Sequence, residues 1–134
     1  MSKILLHISI KWYKILYIMN TVISQRKPIH WVGSTLDDIR EFPDNIKREL
    51  GFDLDLVQQG LLPRDFKAMA NLGSGVMEIR VKDPSGAFRL VYLAKFKDAI
   101  YCLHAFQKKT QKTAPKDIAV IKARYAAVKE LENE

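Results

Sequence analysis

The sequence predicts an α+β domain. It has a small antiparallel β-sheet, made of an N-terminal strand and a three-strand meander, with two N-terminal helices and one C-terminal helix. Three observations carry this. Apolar residues recur at helical spacing between positions 35 and 60, alternate with polar ones from Met77 onward, and return to helical spacing after Pro115. Helices clustered ahead of a meander predict packing on one face of the sheet. The chain has 134 residues, the length of a single domain. Its 48% apolar and 28% charged residues are the balance of a folded chain, not of a disordered tail.

The elements follow in order. Ile29, His30, Trp31 and Val32 suit a short strand, which Gly33-Ser34 breaks. Ser34-Thr35-Leu36-Asp37 fits a capping box, a hydroxyl followed three residues later by a carboxylate. Leu36, Ile39 and Phe42 then fall at helical spacing. Pro43 cannot continue that helix but can open another, in which Ile46, Leu50, Leu54 and Val57 recur and Gly60 is the stop. The stretch 61–75 reads as irregular, with Gly73-Ser74-Gly75 as a joint. Met77, Ile79 and Val81 then alternate with Glu78, Arg80 and Lys82, the pattern of a half-buried strand. Asp83-Pro84-Ser85-Gly86 is a turn, 88–94 a second strand, Lys97-Asp98 a hairpin connection, and 99–106 a third strand. A polar, basic loop from Gln107 to Lys116 leads to a last helix opened by Pro115, with Ile118, Ile121, Tyr125, Val128 and Leu131 as its apolar stripe.

Composition removes several classes of protein. One cysteine, Cys102, forms no intrachain disulfide and builds no cysteine-based zinc site. His7, His30 and His104 lack metal-ligand spacing. The stretch 1–18 is apolar but interrupted by Lys3, Lys11 and Lys14, too short in any one run to span a bilayer, and it lacks a small-residue cleavage site. It reads either as an amphipathic strand or helix laid on the domain, or as sequence ahead of a natural start at Met19; the start at Met19 is the expectation. Residues 1–27 are accordingly read as an extension and 28–134 as the domain.

The net charge of +7 fits either an anionic partner or a solvated basic surface. Its distribution favours the partner. Between Arg64 and Lys116 there are eleven basic and four acidic residues, so that segment holds the whole excess and the rest of the chain is neutral. Alternation puts Glu78, Arg80 and Lys82 on one face of the first meander strand, and Arg89, Val91 and Leu93 on one face of the second. It puts Ile100, Cys102, His104 and Phe106 on one face of the third. A register that sets Arg80, Arg89 and His104 on the same side would present two guanidiniums and an imidazole together. Guanidinium binds phosphate bidentately and suits a phosphate gaining charge in a transition state; imidazole transfers protons near neutral pH. The plainer alternatives are a solvated strand face for Arg80 and Lys82, and a hydrogen-bonded core position for His104. Cys102 reads as buried rather than reactive. Phe88, Tyr92, Tyr101 and Phe106 read as core, with base stacking as the alternative for any one of them.

The runs E-I-R-V-K-D from Glu78, F-R-L-V-Y from Phe88 and L-H-A-F-Q-K-K-T-Q-K-T from Leu103 resemble the RelE/ParE superfamily of toxins, most closely its HigB-like, phage-associated branch. The Phe42-Pro43 break, Gln58 with Gly60, and Pro63 with Lys67 agree with it. The resemblance implies the RelE-like fold and the toxin of a type II toxin–antitoxin system. Such a toxin cleaves ribosome-bound mRNA without metal or other cofactor, acts in the cytoplasm, and is neutralised in a hetero-oligomer by a helix-turn-helix antitoxin. By position it implies that Arg89 contacts the scissile phosphate, that Lys109 or Lys108 is the basic residue after the last strand, and that Arg80 is a basic site on the preceding strand. Glu78 stands where the best-known RelE pattern has lysine, as a base or as a partner for Arg80, and no tyrosine follows the basic loop. His104 is the candidate to replace one proton-transfer role. The expected catalytic set is thus Arg89, Arg80, His104 and Lys109, with Lys67, Lys82, Lys108 and Lys112 binding RNA. The alternatives from other classes are a ParE-like toxin that poisons DNA gyrase by binding, and an inactive prophage relic that only binds antitoxin.

Overall fold

The computed structural model describes residues 11–20 and 26–133. Residues 11–20 are helical with every side chain exposed, whereas residues 1–10 and 21–25 of the predicted extension lie outside the described residues. From Ile29 the chain runs β1 (Ile29–Trp31), α1 (Thr35–Arg40), α2 (Asp44–Gln58), β2 (Phe66–Ala68), a 3-10 turn (Ala70–Leu72), β3 (Val76–Asp83), β4 (Gly86–Leu93), β5 (Ile100–Lys108) and α3 (Pro115–Leu131). This is the α+β class and order that the spacing predicts.

The sheet differs from expectation in two respects. It has five strands in the order β1-β5-β4-β3-β2, and β1 pairs parallel with β5, so the sheet is mixed rather than wholly antiparallel. The extra strand, β2, comes from the stretch read as irregular. At three residues it carries too little alternation to be seen, and it is a strand because Phe66, Lys67 and Ala68 pair with Ile79, Glu78 and Met77 of β3. The predicted capping box does not form either. Ser34 makes no side-chain cap; its hydroxyl donates to Asp38 Oδ2 at 2.8 Å, while Asp37 pairs with Arg40.

Helices cover both faces, not one. Ile39 of α1 and Ile46, Leu50, Leu54 and Val57 of α2 pack with Ile79, Leu90, Tyr92, Ile100 and Cys102. Ile121 and Val128 of α3 pack on the opposite face with Val76, Val91, Leu93, Tyr101, Leu103 and Phe106. The reason is legible in β4. Residues 88–93 are apolar at five of six positions and buried on both sides, which is the signature of a strand needing cover above and below. Each aliphatic side chain fully buried this way contributes about 1.5–3 kcal/mol relative to exposure. The turn predicted at Asp83 is fastened to α2, since Asp83 accepts from Ser85 N at 2.8 Å and from Asn45 Nδ2 at 2.6 Å.

One irregularity decides what the sheet can present. Tyr92 pairs with Cys102 but Val91 pairs with His104, so Leu103 is an extra residue in β5, a β-bulge. Strict alternation would place His104 with Ile100 and Cys102. The bulge instead turns His104 and Phe106 to the α3 side, while Ile100 and Cys102 remain in the α2 core.

Candidate phosphate-binding cleft

Registers across β2, β3, β4 and β5 set three rows of residues on the α3 face. One row is Lys82, Ala87 and Lys108; the next is Arg80, Arg89 and Phe106; the third is Lys67, Glu78, Val91 and His104. Arg80 and Arg89 are therefore direct neighbours on one face of two adjacent strands. Ala87 places only a methyl group beside Lys108.

A cleft of ≈ 550 Å³ opens there, lined by Arg80, Ala87, Arg89, Lys108 and Lys109, together with Thr110 and Gln111. Lys108 is shared with two neighbouring cavities. One, of ≈ 370 Å³, adds Phe106, Lys112, Lys116 and Asp117; the other, of ≈ 320 Å³, adds Lys67, Met69 and Lys112. Among the described residues, no carboxylate lies within ion-pair distance of Arg80, Lys67, Lys108, Lys109, Lys112 or Lys116. The surface thus presents six cations without an ion-pair partner among the described residues, able to bind a polyanion at several points.

Two buried polar pairs lie beneath it. Glu78 and Arg89, 2% and 7% exposed, form an ion pair, Arg89 Nε to Glu78 Oε1 at 3.3 Å. The contact is not aligned as a hydrogen bond, and Glu78 Oε2 has no hydrogen-bond partner among the described residues. Arg89 also donates from Nη1 to the carbonyl of Phe88 at 3.1 Å. Burial pushes the Glu78 carboxyl above its ordinary value, against the pull of Arg89, Lys108, Arg80 and Lys67. Burial likewise lowers the Arg89 pKa, with Glu78 opposing and Arg80 reinforcing the effect, yet a guanidinium stays protonated. The second pair is His104 Nε2 with Asp117 Oδ1 at 2.8 Å. The imidazole stacks on Phe106, centroids 5.2 Å apart, and its Nδ1 is buried without a hydrogen-bond partner among the described residues.

Of the residues expected at the site, the cleft brings together Arg80, Arg89, Lys109 and Lys108, and its neighbours add Lys67 and Lys112. Lys82 is exposed in the same row as Lys108 but lines none of these cavities. His104 shares the face but sits behind it, one row from Arg89 and tied to the first turn of α3. Lys108 is the last residue of β5 rather than part of the loop, because Ala87 on β4 pairs with it.

Sequence reasoning missed three features. Glu78 pairs with Arg89 rather than with Arg80, a consequence of diagonal reach across the ladder that alternation does not specify. Asp117 as the partner of His104 had no signal beyond its place in the first turn of a helix. The bulge had none at all. Two expectations about other residues held: burial pushes the Cys102 thiol up to about 12, that of an inert side chain, and Phe88, Tyr92, Tyr101 and Phe106 are all buried. Among the charges counted in the basic segment, Arg64 is engaged elsewhere, with Asp53 on α2 at 2.9 Å.

No curated protein matches the chain. Residues 37–126 match the family described as phage derived protein Gp49-like (DUF891), a span that runs from α1 to the middle of α3 and includes every residue of the cleft. The chain belongs to that Gp49-like family, part of the RelE/HigB-like toxin superfamily, whose members are commonly the toxins of toxin–antitoxin pairs.

Proposed function

We propose that this protein is a HigB-like toxin that cleaves ribosome-bound mRNA and is held inactive by a helix-turn-helix antitoxin. The supporting observation is the pairing of Arg80 with Arg89 on adjacent strands, opening into one cleft with Lys108 and Lys109. A phosphodiester seated there meets two planar forks of N–H donors and two ammonium groups. The substrate's own 2′-hydroxyl gives up its proton to solvent water and its oxygen attacks phosphorus, which breaks the bond to the 5′-oxygen and leaves a cyclic phosphate and, once that oxygen is protonated, a 5′-hydroxyl. The phosphorane passed on the way carries one more negative charge than the diester, so preformed cations stabilise it more than the ground state. The ammonium groups at Lys108 and Lys109 are the proton donors at hand for the departing 5′-oxygen. His104, fixed by Asp117 and stacked on Phe106, acts in this reading by holding β5 and α3 in place behind the cleft. Among the described residues no helix is long and apolar enough to cross a membrane, and the proposed place of action is the cytoplasm, where ribosomes are.

The test is to incubate translating ribosomes with the protein and map the 5′ ends of the mRNA. New 5′-hydroxyl ends are expected, reduced about 10²-fold or more by Arg80→Ala, the scale of one lost transition-state donor. Arg80 is half-exposed and without an ion-pair partner among the described residues, so its removal leaves no buried charge. No new ends with folded protein, together with inhibition of gyrase, would establish the ParE-like alternative.

A further inference from the structure

The buried partner of Arg89 bears on how the cleft takes its anion. Glu78 does not line the cleft. Its ion-pair contact with the cleft lining is to Arg89, by an unaligned 3.3 Å approach, and Glu78 Oε2 has no hydrogen-bond partner among the described residues. Arg89 in turn has, among the described residues, a single aligned side-chain bond, to its neighbour's carbonyl. The pair is loose at both ends although both members are buried. A carboxylate and a phosphate cannot both be drawn to one guanidinium without repelling each other.

We propose that Glu78 is an internal counterion that competes with the incoming phosphodiester for Arg89 and so sets the anion affinity of the cleft. The proposal rests on the reading that the cleft takes an RNA phosphate. Its functional consequence is selectivity. Four cations around an open cleft would hold any small phosphate compound; with Glu78 in competition Arg89 contributes less, which favours a strand that also reaches Lys67 and Lys112 in the neighbouring cavities over a mononucleotide. Because binding and protonation are linked, a bound diester also makes Glu78 easier to protonate. Burial, which already pushes this carboxyl upward, brings that linkage toward a workable pH. The groups facing Glu78 are Lys67 on β2, Arg80 on β3, Arg89 on β4 and Lys108 on β5. His104 lies in its row and carries Asp117 with it, and Asp65 acts on Arg89.

The probe is a 2′-O-methyl RNA dinucleotide. It has one phosphodiester, no group that titrates between about pH 5 and 8, and no free 2′-hydroxyl to react. Binding is measured by calorimetry at constant ionic strength on the full chain. Affinity of the wild type should fall as pH rises above the ordinary carboxyl range, because ionised Glu78 competes and protonated Glu78 does not. Glu78→Gln should bind about tenfold tighter at the top of that range, a change equivalent to one pKa unit, and should lose the fall. Equal or weaker binding by Glu78→Gln overturns the proposal, as does a fall that survives the substitution. If Glu78→Gln does not fold, the wild type decides. The Glu78 side-chain carboxyl ¹³C resonance should titrate at higher pH with the dinucleotide bound, and an unchanged midpoint overturns the proposal. No binding to either protein at any pH would overturn the phosphate site itself; binding indifferent to Glu78 removes only its role.

Discussion

Replacing Arg89 by methionine keeps most of the volume of its stem and removes its charge, stranding Glu78 in a site where it is 2% exposed. Breaking a buried pair this way costs about 3–5 kcal/mol when the remaining charge has no escape. Glu78 has one, since it can take up a proton. Protonating a carboxyl of ordinary pKa 4.5 costs about 3.4 kcal/mol at pH 7 and about 0.8 kcal/mol at pH 5, and these values cap the electrostatic penalty. The sign is fixed by the direction of the shift. A carboxyl whose folded pKa is raised favours folding fully below its unfolded value and loses that contribution as pH rises through the folded one, and losing Arg89 raises the folded value further. Urea unfolding of Arg89→Met should therefore show a loss of up to about 3 kcal/mol at pH 7 that shrinks below about 1 kcal/mol at pH 5. Adding Glu78→Gln should recover most of the pH 7 loss, since removing both members of a buried pair is close to neutral. The double variant should remain unable to cleave mRNA, because the cleft still lacks a guanidinium. A loss equal at both pH values, or no recovery in the double variant, would refute the account of Glu78 as a stranded charge.

Other outcomes follow from the same geometry. Arg80→Ala should change stability by less than about 0.5 kcal/mol but lower the slope of log affinity against log salt for single-stranded RNA by about 0.7, read from binding titrations at several salt concentrations. His104→Ala should cost about 1–3 kcal/mol, because it leaves the largely buried Asp117 carboxylate unpaired; amide exchange should quicken selectively in the first turn of α3. Gly33→Ala should destabilise by about 1–2 kcal/mol. Gly33 has φ +58°, and a Cβ there would meet the Arg124 guanidinium at 2.7 Å, displacing a side chain that donates to Leu103 O and to the Thr35 and Ser34 hydroxyls. Thermal unfolding would detect it.

What the sequence determined by itself is periodic or additive. Helical spacing around Ile46, Leu50, Leu54 and Val57 and alternation around Ile79 and Val81 specify α2 and β3, because burial of one face is a local rule repeated along the chain. Charge is additive, so the concentration of lysine and arginine between Arg64 and Lys116 was legible without coordinates. The pairing of strands was not. The parallel contact of β1 with β5 joins residues about 70 positions apart, and the three residues of β2 gain their identity only from Glu78 and its neighbours across the ladder. The site depended most on a feature no periodicity carries. Inserting Leu103 as a bulge reverses the face of His104 and Phe106, since side chains in a strand alternate with period two and one extra residue flips all that follow. Tertiary structure likewise decided which anion Arg89 meets in the folded protein. The partner is set by which side chains share a desolvated corner of the sheet, and Glu78, not a residue adjacent in sequence, fills it.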